Sequence, residues 1–144
     1  MNTKLKVTAA VLLSLSLFGC GSGEEKNAQV PAVGKAVNTY AIVLPSGDTL
    51  NTSGDSFREY DRDTADGTVK NYEIFSNAIA KTTENAVYTQ LKNLGFKRSV
   101  MEDSSTQFKV HYKKEGSSTI GAIYTESGES SAPVTKMKMY FSKS

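Results

Sequence analysis

Three runs between residues 107 and 141 place an apolar side chain at every second position. Phe108, Val110 and Tyr112 alternate with Gln107, Lys109, His111 and Lys113; Ile120, Ala122 and Tyr124 share one side of the next run; Met137, Met139 and Phe141 alternate with Lys136, Lys138 and Tyr140. A period of two sends neighbouring side chains to opposite faces, so each run is a strand with one buried and one solvated side. Such strands need a covering layer, and one helical pattern is available to supply it. Val87, Leu91 and Leu94 are spaced for one face of a helix over residues 83–94, with Ala80 extending that face if the helix starts earlier. Thr82 or Thr83 is the candidate amino-terminal cap. Leu94-Gly95-Phe96 ends the helix: Gly95 takes the left-handed cap and Phe96 folds back onto the last turn. The expected fold is α+β, an antiparallel sheet of about five or six strands with one α-helix packed on one face.

The remaining strands are shorter. Residues 39–44 read as a buried strand, Pro45-Ser46-Gly47-Asp48 as a turn, and residues 49–52 as a short return. The polar stretch 53–68 is either a mobile functional loop or a hairpin. In the hairpin, Asp66-Gly67 would turn residues 57–62 onto residues 69–75. Tyr72 and Ile74 then share one face, opposite Glu73 and Phe75. Residues 96–102 and 106–113 pair across the turn Asp103-Ser104-Ser105, and a polar loop over residues 126–133 precedes the last strand.

Ahead of this domain the chain has a different character. Lys4 and Lys6 precede an apolar run over residues 7–18, and Leu17-Phe18-Gly19-Cys20 closes it. The run fits a signal-peptide core of ~7–15 residues and falls short of the ~20 that a spanning helix needs. Leu17, a tolerant second position, small Gly19 and Cys20 together resemble the lipobox of bacterial lipoproteins; Phe18 is bulkier than the Ala or Ser usual at its position. The resemblance covers only the first twenty or so residues. It implies cleavage before Cys20, a diacylglyceryl group on its thiol, and acylation (palmitate-type chains) of the new amino terminus. Three such chains, at ~0.8 kcal/mol per buried methylene, anchor a protein without a transmembrane segment. Gly21 stands where an aspartate marks inner-membrane retention in that family, so the implied destination is the periplasmic side of the outer membrane. The domain plan is then a signal peptide over residues 1–19, a lipidated cysteine and flexible tether over 20–38, and a single domain over 39–144. The globular part resembles no particular family.

Two of the seventeen basic residues lie in the leader, so fifteen face fifteen acidic ones in the mature chain. A near-neutral chain without a basic stripe gives no electrostatic case for nucleic-acid binding. Charge is nonetheless uneven. Asp48, Asp55, Glu59, Asp61, Asp63 and Asp66 crowd one segment with Arg58 and Arg62, while from Lys92 onward nine basic residues stand against five acidic. Cys20 is the only cysteine, so an internal disulfide is excluded, and the lipidation that the lipobox resemblance implies leaves no thiol for nucleophilic catalysis.

Candidate chemistry is sparse. His111, the only histidine, falls outward between Lys109 and Lys113, where two cations disfavour its protonation and no carboxylate is placed in sequence to orient it. No Gly-x-Ser-x-Gly elbow is present. The run Asp61-Arg62-Asp63-Thr64-Ala65-Asp66-Gly67 approaches an EF-hand loop but is one residue out of register, and Tyr72 stands where its bidentate Glu belongs. It reads as a solvated acidic turn or a divergent calcium site. No cofactor or metal site is expected. Lys109, His111 and Lys113, with Lys136, Lys138 and Tyr140 on another strand, form a possible basic, partly aromatic contact surface for an acidic protein or an anionic lipid or polysaccharide. The same residues also suit a solvated sheet face whose lysines blunt an edge. The expected function is a non-enzymatic, lipid-anchored binding or accessory module with an envelope protein partner. The alternatives are an immunity, inhibitor or exclusion lipoprotein against a toxin, phage or plasmid, and a small envelope hydrolase.

Overall fold

The alternating strands assemble into one six-stranded antiparallel sheet, seen in a computed structural model that describes residues 37–143. In chain order the elements are β1 (Asn38–Val43), β2 (Thr49–Gly54), β3 (Ser56–Thr64), β4 (Gly67–Ser76), α1 (Ala80–Asn93), β5 (Lys97–Asp103), β6 (Gln107–Lys113), β7 (Ile120–Glu129) and β8 (Ala132–Ser142). The large sheet runs β3-β4-β8-β7-β6-β5, so the last strand slots between β4 and β7; β1 and β2 pair only with each other. The α+β class and the single helix on one sheet face are as expected. Cys20, the leader and the tether as far as residue 36 lie outside the described residues. No helix among the described residues is long and apolar enough to cross a membrane.

One face of the sheet carries the core. Tyr72, Ile74, Val110, Tyr112, Ile120, Ala122, Tyr124, Met137 and Met139 meet Val87 and Leu91 of α1, with Phe96 closing the helix end. The β1–β2 hairpin lies on the same side, burying Ile42, Leu44 and Leu50 in that cluster. Gln90 ties it to the helix by accepting from the Asn51 N–H at 3.0 Å and donating to the Asn51 carbonyl at 2.7 Å. The covering layer is therefore helix plus hairpin, a second part that residues 39–52 did not by themselves announce.

The helix ends show which signals were local. At the carboxyl end Gly95 has φ 87°, and the N–H groups of Phe96 and Gly95 bond the carbonyls of Leu91 and Lys92 at 2.9 and 3.0 Å. These are the two bonds of a Schellman motif, as Leu94-Gly95-Phe96 predicts. At the amino end the expectation is corrected. The helix starts at Ala80 with Ile79 as its cap residue and no side-chain cap bond, so neither Thr82 nor Thr83 serves. Glu126, from β7, accepts the Ala80 N–H at 2.9 Å instead. A carboxylate at that end also complements the helix dipole.

Two polar stretches are also ordered. Of the two alternatives for residues 53–68 the hairpin is the one formed, β3–β4 pairing Phe57 with Ile74 and Arg62 with Val69. Its two-residue turn is Ala65-Asp66, one residue earlier than expected, with the positive φ of 118° on the paired Gly67. The loop expected over residues 126–133 is instead the continuation of β7 and β8, which stay paired to Glu129 and Ala132.

Candidate functional site

The face of the sheet turned away from helix and hairpin carries the polar halves of the alternating strands. Register fixes who stands beside whom. One row crosses the sheet as Tyr60, Asn71, Tyr140, Gly121, His111 and Ser99, and the next as Arg58, Glu73, Lys138, Ile123, Lys109 and Glu102. Lys136 lies one row further along β8, and Lys113 faces Lys97 at the end of β5 and β6. Lys109, His111, Lys113, Lys136, Lys138 and Tyr140 thus share this outer face, with β7 running between the two groups. The β7 residue beside Tyr140 is Gly121, and the Tyr140 ring occupies the space a Cβ would need there. Only glycine lets the ring lie flat over the sheet towards His111.

The charges on this face divide into paired and free. Glu73 accepts from the Tyr60 hydroxyl at 3.0 Å and meets Lys136 at 3.3 Å. Burial works to raise its pKa, but Tyr60 and Lys136 overcome it and hold the carboxyl below its ordinary value. Arg58 lies over the Tyr60 ring at 4.8 Å. Lys109, Lys113 and Lys138 have no ion-pair partner among the described residues. His111 is half-buried. Burial first, then Lys109 and Lys113, push its pKa below the ordinary value, so it is neutral at pH 7 and offers one donor and one acceptor. Asn71 is fully buried in the same row; its Nδ2 donates to the Val69 carbonyl, while its Oδ1 has no partner.

Arg58, Tyr60 and Arg62 belong to this face through β3 and escape a sequence reading that leaves residues 53–68 open. The period-two pattern contained them, since Phe57, Glu59, Asp61 and Asp63 take the opposite side. Two of the acids there are ion-paired: Lys70 pairs with Glu59 and lies 3.5 Å from Asp61, and Lys143 lies 2.9 Å from Asp61. Asp63 accepts from the Thr68 hydroxyl at 2.9 Å. No three Asp, Glu, His or Cys side chains converge as metal ligands among the described residues.

One polar cluster on the inner face holds a buried carboxylate. Glu84 of α1, 2% exposed, accepts from Arg98 Nη1 at 2.9 Å and from the Tyr112 hydroxyl at 3.1 Å; the Tyr112 and Tyr124 hydroxyls are 3.1 Å apart. Burial raises both tyrosine pKa values, so they stay protonated and available as donors. Both carboxylate oxygens of Glu84 are engaged, which makes the cluster a saturated structural ion pair. Its sequence signal is a glutamate in line with Ala80, Val87 and Leu91 on the apolar stripe.

Comparison with protein-family models, curated proteins and solved structures gives no match to this chain. The outer face can act as a charged, partly aromatic platform: free ammonium groups for anionic groups, tyrosine and imidazole edges for hydrogen bonding. Among the described residues, His111 has no hydrogen bond to a hydroxyl or carboxylate that would make it the base of a nucleophilic pair.

Proposed function

We propose that this chain is a lipid-anchored envelope protein whose folded domain is a non-enzymatic binding module, docking the acidic surface of an envelope protein through the outer face of its sheet. Leu17-Phe18-Gly19-Cys20 supports the anchor and, with Gly21, the periplasmic side of the outer membrane. The observation that carries the binding reading is the set of unpaired cations, Lys109, Lys113 and Lys138, gathered around Tyr140 and His111 on a face that neither helix nor hairpin covers. Lys113 also faces Lys97 across the ladder, and holding like charges close costs stability and invites a partner that supplies the opposite sign.

The test is in-cell photocrosslinking of the anchored protein, with the crosslinker placed at Tyr140 or, as a control on the other layer, at Asn85. One protein should crosslink from Tyr140 and not from Asn85, and Lys109→Glu with Lys138→Glu should abolish it. Equal crosslinking from both positions would remove the outer face from consideration. Cys20→Ala should release the protein from the membrane fraction; retention by acyl chains would contradict the anchor.

A further inference from the structure

At the end of β5 and β6 the outer face turns into a cleft that the platform does not require. Lys97 and Lys113 are direct cross-strand partners there. Like charges facing each other in an antiparallel ladder are destabilising, and neither has an ion-pair partner among the described residues. The chain adds to the charge instead of relieving it. Arg98 and Lys114 also line the cleft, which has a volume of about 740 Å³, and the only acid among the lining residues is Glu115. The Arg98 guanidinium is turned inward, bonded to Glu84 and lying 4.7 Å from the centre of the Tyr88 ring. The Lys114 ammonium is 4.0 Å from Asp48 and 5.5 Å from the centre of the Phe96 ring, so Lys97 and Lys113 carry the unpaired charge of the cleft. Thr119 brings a hydroxyl.

We infer that this cleft binds a phosphate group carried on a small polar molecule. The facing ammonium groups of Lys97 and Lys113, with that of Lys114 and the Thr119 hydroxyl at the rim, suit the multiple charge and the oxygens of a phosphate better than a single carboxylate. The volume lies in the range of small-ligand sites, ~300–1,000 Å³, and exceeds what inorganic phosphate alone fills. The helix carboxyl end nearby does not repel the anion strongly, because the Schellman bonds already satisfy the Leu91 and Lys92 carbonyls. The site goes beyond the protein-docking reading and shares only Lys113 with it. Its ligand is either a soluble phosphate ester or a phosphomonoester lipid headgroup.

The probes are inorganic pyrophosphate and, separately, phosphatidylcholine vesicles with and without phosphatidic acid, offered to the full chain carrying Cys20→Ser so that its own anchor does not bind the vesicles. Pyrophosphate, at ionic strength matched with sodium chloride, should perturb the amides of residues 95–99 and 113–119 saturably and raise Tm. Lys97→Glu should weaken that binding roughly ten-fold or more. By turning a like-charge pair into an opposite one, it should also raise the Tm of the unliganded protein slightly. Lys138→Glu, on the platform but outside the cleft, should leave pyrophosphate binding unchanged. Vesicle binding that needs phosphatidic acid and Lys97 would assign the headgroup as source; pyrophosphate binding alone would assign a soluble ester. Linear perturbation spread over all lysines, or a Lys97→Glu protein that binds as the parent does, would overturn the site. Absence of any crosslink from Tyr140 in the parent protein, with pyrophosphate binding intact, would instead overturn the protein-docking reading.

Discussion

The two faces of one sheet treat charge in opposite ways. On the inner face a single carboxylate, Glu84, is buried and fully engaged by Arg98 and Tyr112. On the outer face Lys109, Lys113 and Lys138 form no ion pair within 4 Å among the described residues, and Lys97 faces Lys113 directly. Strands β5 and β6 supply both faces, Arg98 and Tyr112 inward and Lys97, Lys109 and Lys113 outward, while Glu84 comes from α1. Buried charge must be satisfied within the fold, whereas exposed charge can be left for something outside it.

The largest effect should come from breaking the inner cluster. Glu84→Ala leaves the Arg98 and Tyr112 donors without their acceptor and should cost about 3–5 kcal/mol in chemical denaturation. Glu84→Gln, which keeps one acceptor, should cost less. Loss of no more than a surface substitution, within about 0.5 kcal/mol, would place Glu84 among the solvated residues and erase the contrast. Next is Glu126→Ala, which removes the remote cap on Ala80; about 0.5–2 kcal/mol of stability and faster amide exchange over the first helical turn are expected. Gly121→Ala, at the centre of the outer face, forces the Tyr140 ring aside. Because that ring is half-exposed and can swing, a cost near ~1 kcal/mol is expected, with large shifts in the Tyr140 and His111 resonances.

The smallest effect is in pH. Because the fold lowers the His111 pKa, the unfolded chain binds the extra proton first. Stability should therefore decline as pH falls through the ordinary histidine value of 6.5 and level off below the folded value. His111→Gln should flatten that step. The lowered carboxyls of Glu73 and Asp61 act at lower pH, below their ordinary 4.5 and 3.8, so the two regions of the curve can be separated.

What could be read from the sequence was whatever local pattern controls. The alternation in residues 107–141 and the Gly95 stop are satisfied by neighbours in the chain, and the observed strands and cap follow them. The helix start was misread because its cap is a carboxylate 46 positions away. The hairpin of β3 and β4 stayed open because Phe57 and Tyr60 fall on opposite faces, which breaks the apparent apolar pattern while the charges keep it. For the candidate surface, the strand patterns were enough to orient Lys109, His111, Lys113, Lys136, Lys138 and Tyr140. They could not say that β8 would lie one strand from β6, which is what brings the six residues together. Glu84 was overlooked for a related reason: a glutamate on a helix reads as solvated until Arg98 is known to reach it.

On the proposed function, the inner face holds the fold together while the outer face is kept for a partner. A Lys109→Glu, Lys138→Glu double variant tests it when its thermal stability and its crosslinking from Tyr140 are measured on the same protein. The predicted result is a folded protein with a modestly lowered Tm, because each new carboxylate would face Glu73 or Glu102 across the ladder, and with the crosslink lost. A crosslink that survives the double charge reversal, or one lost only together with the fold, would contradict it.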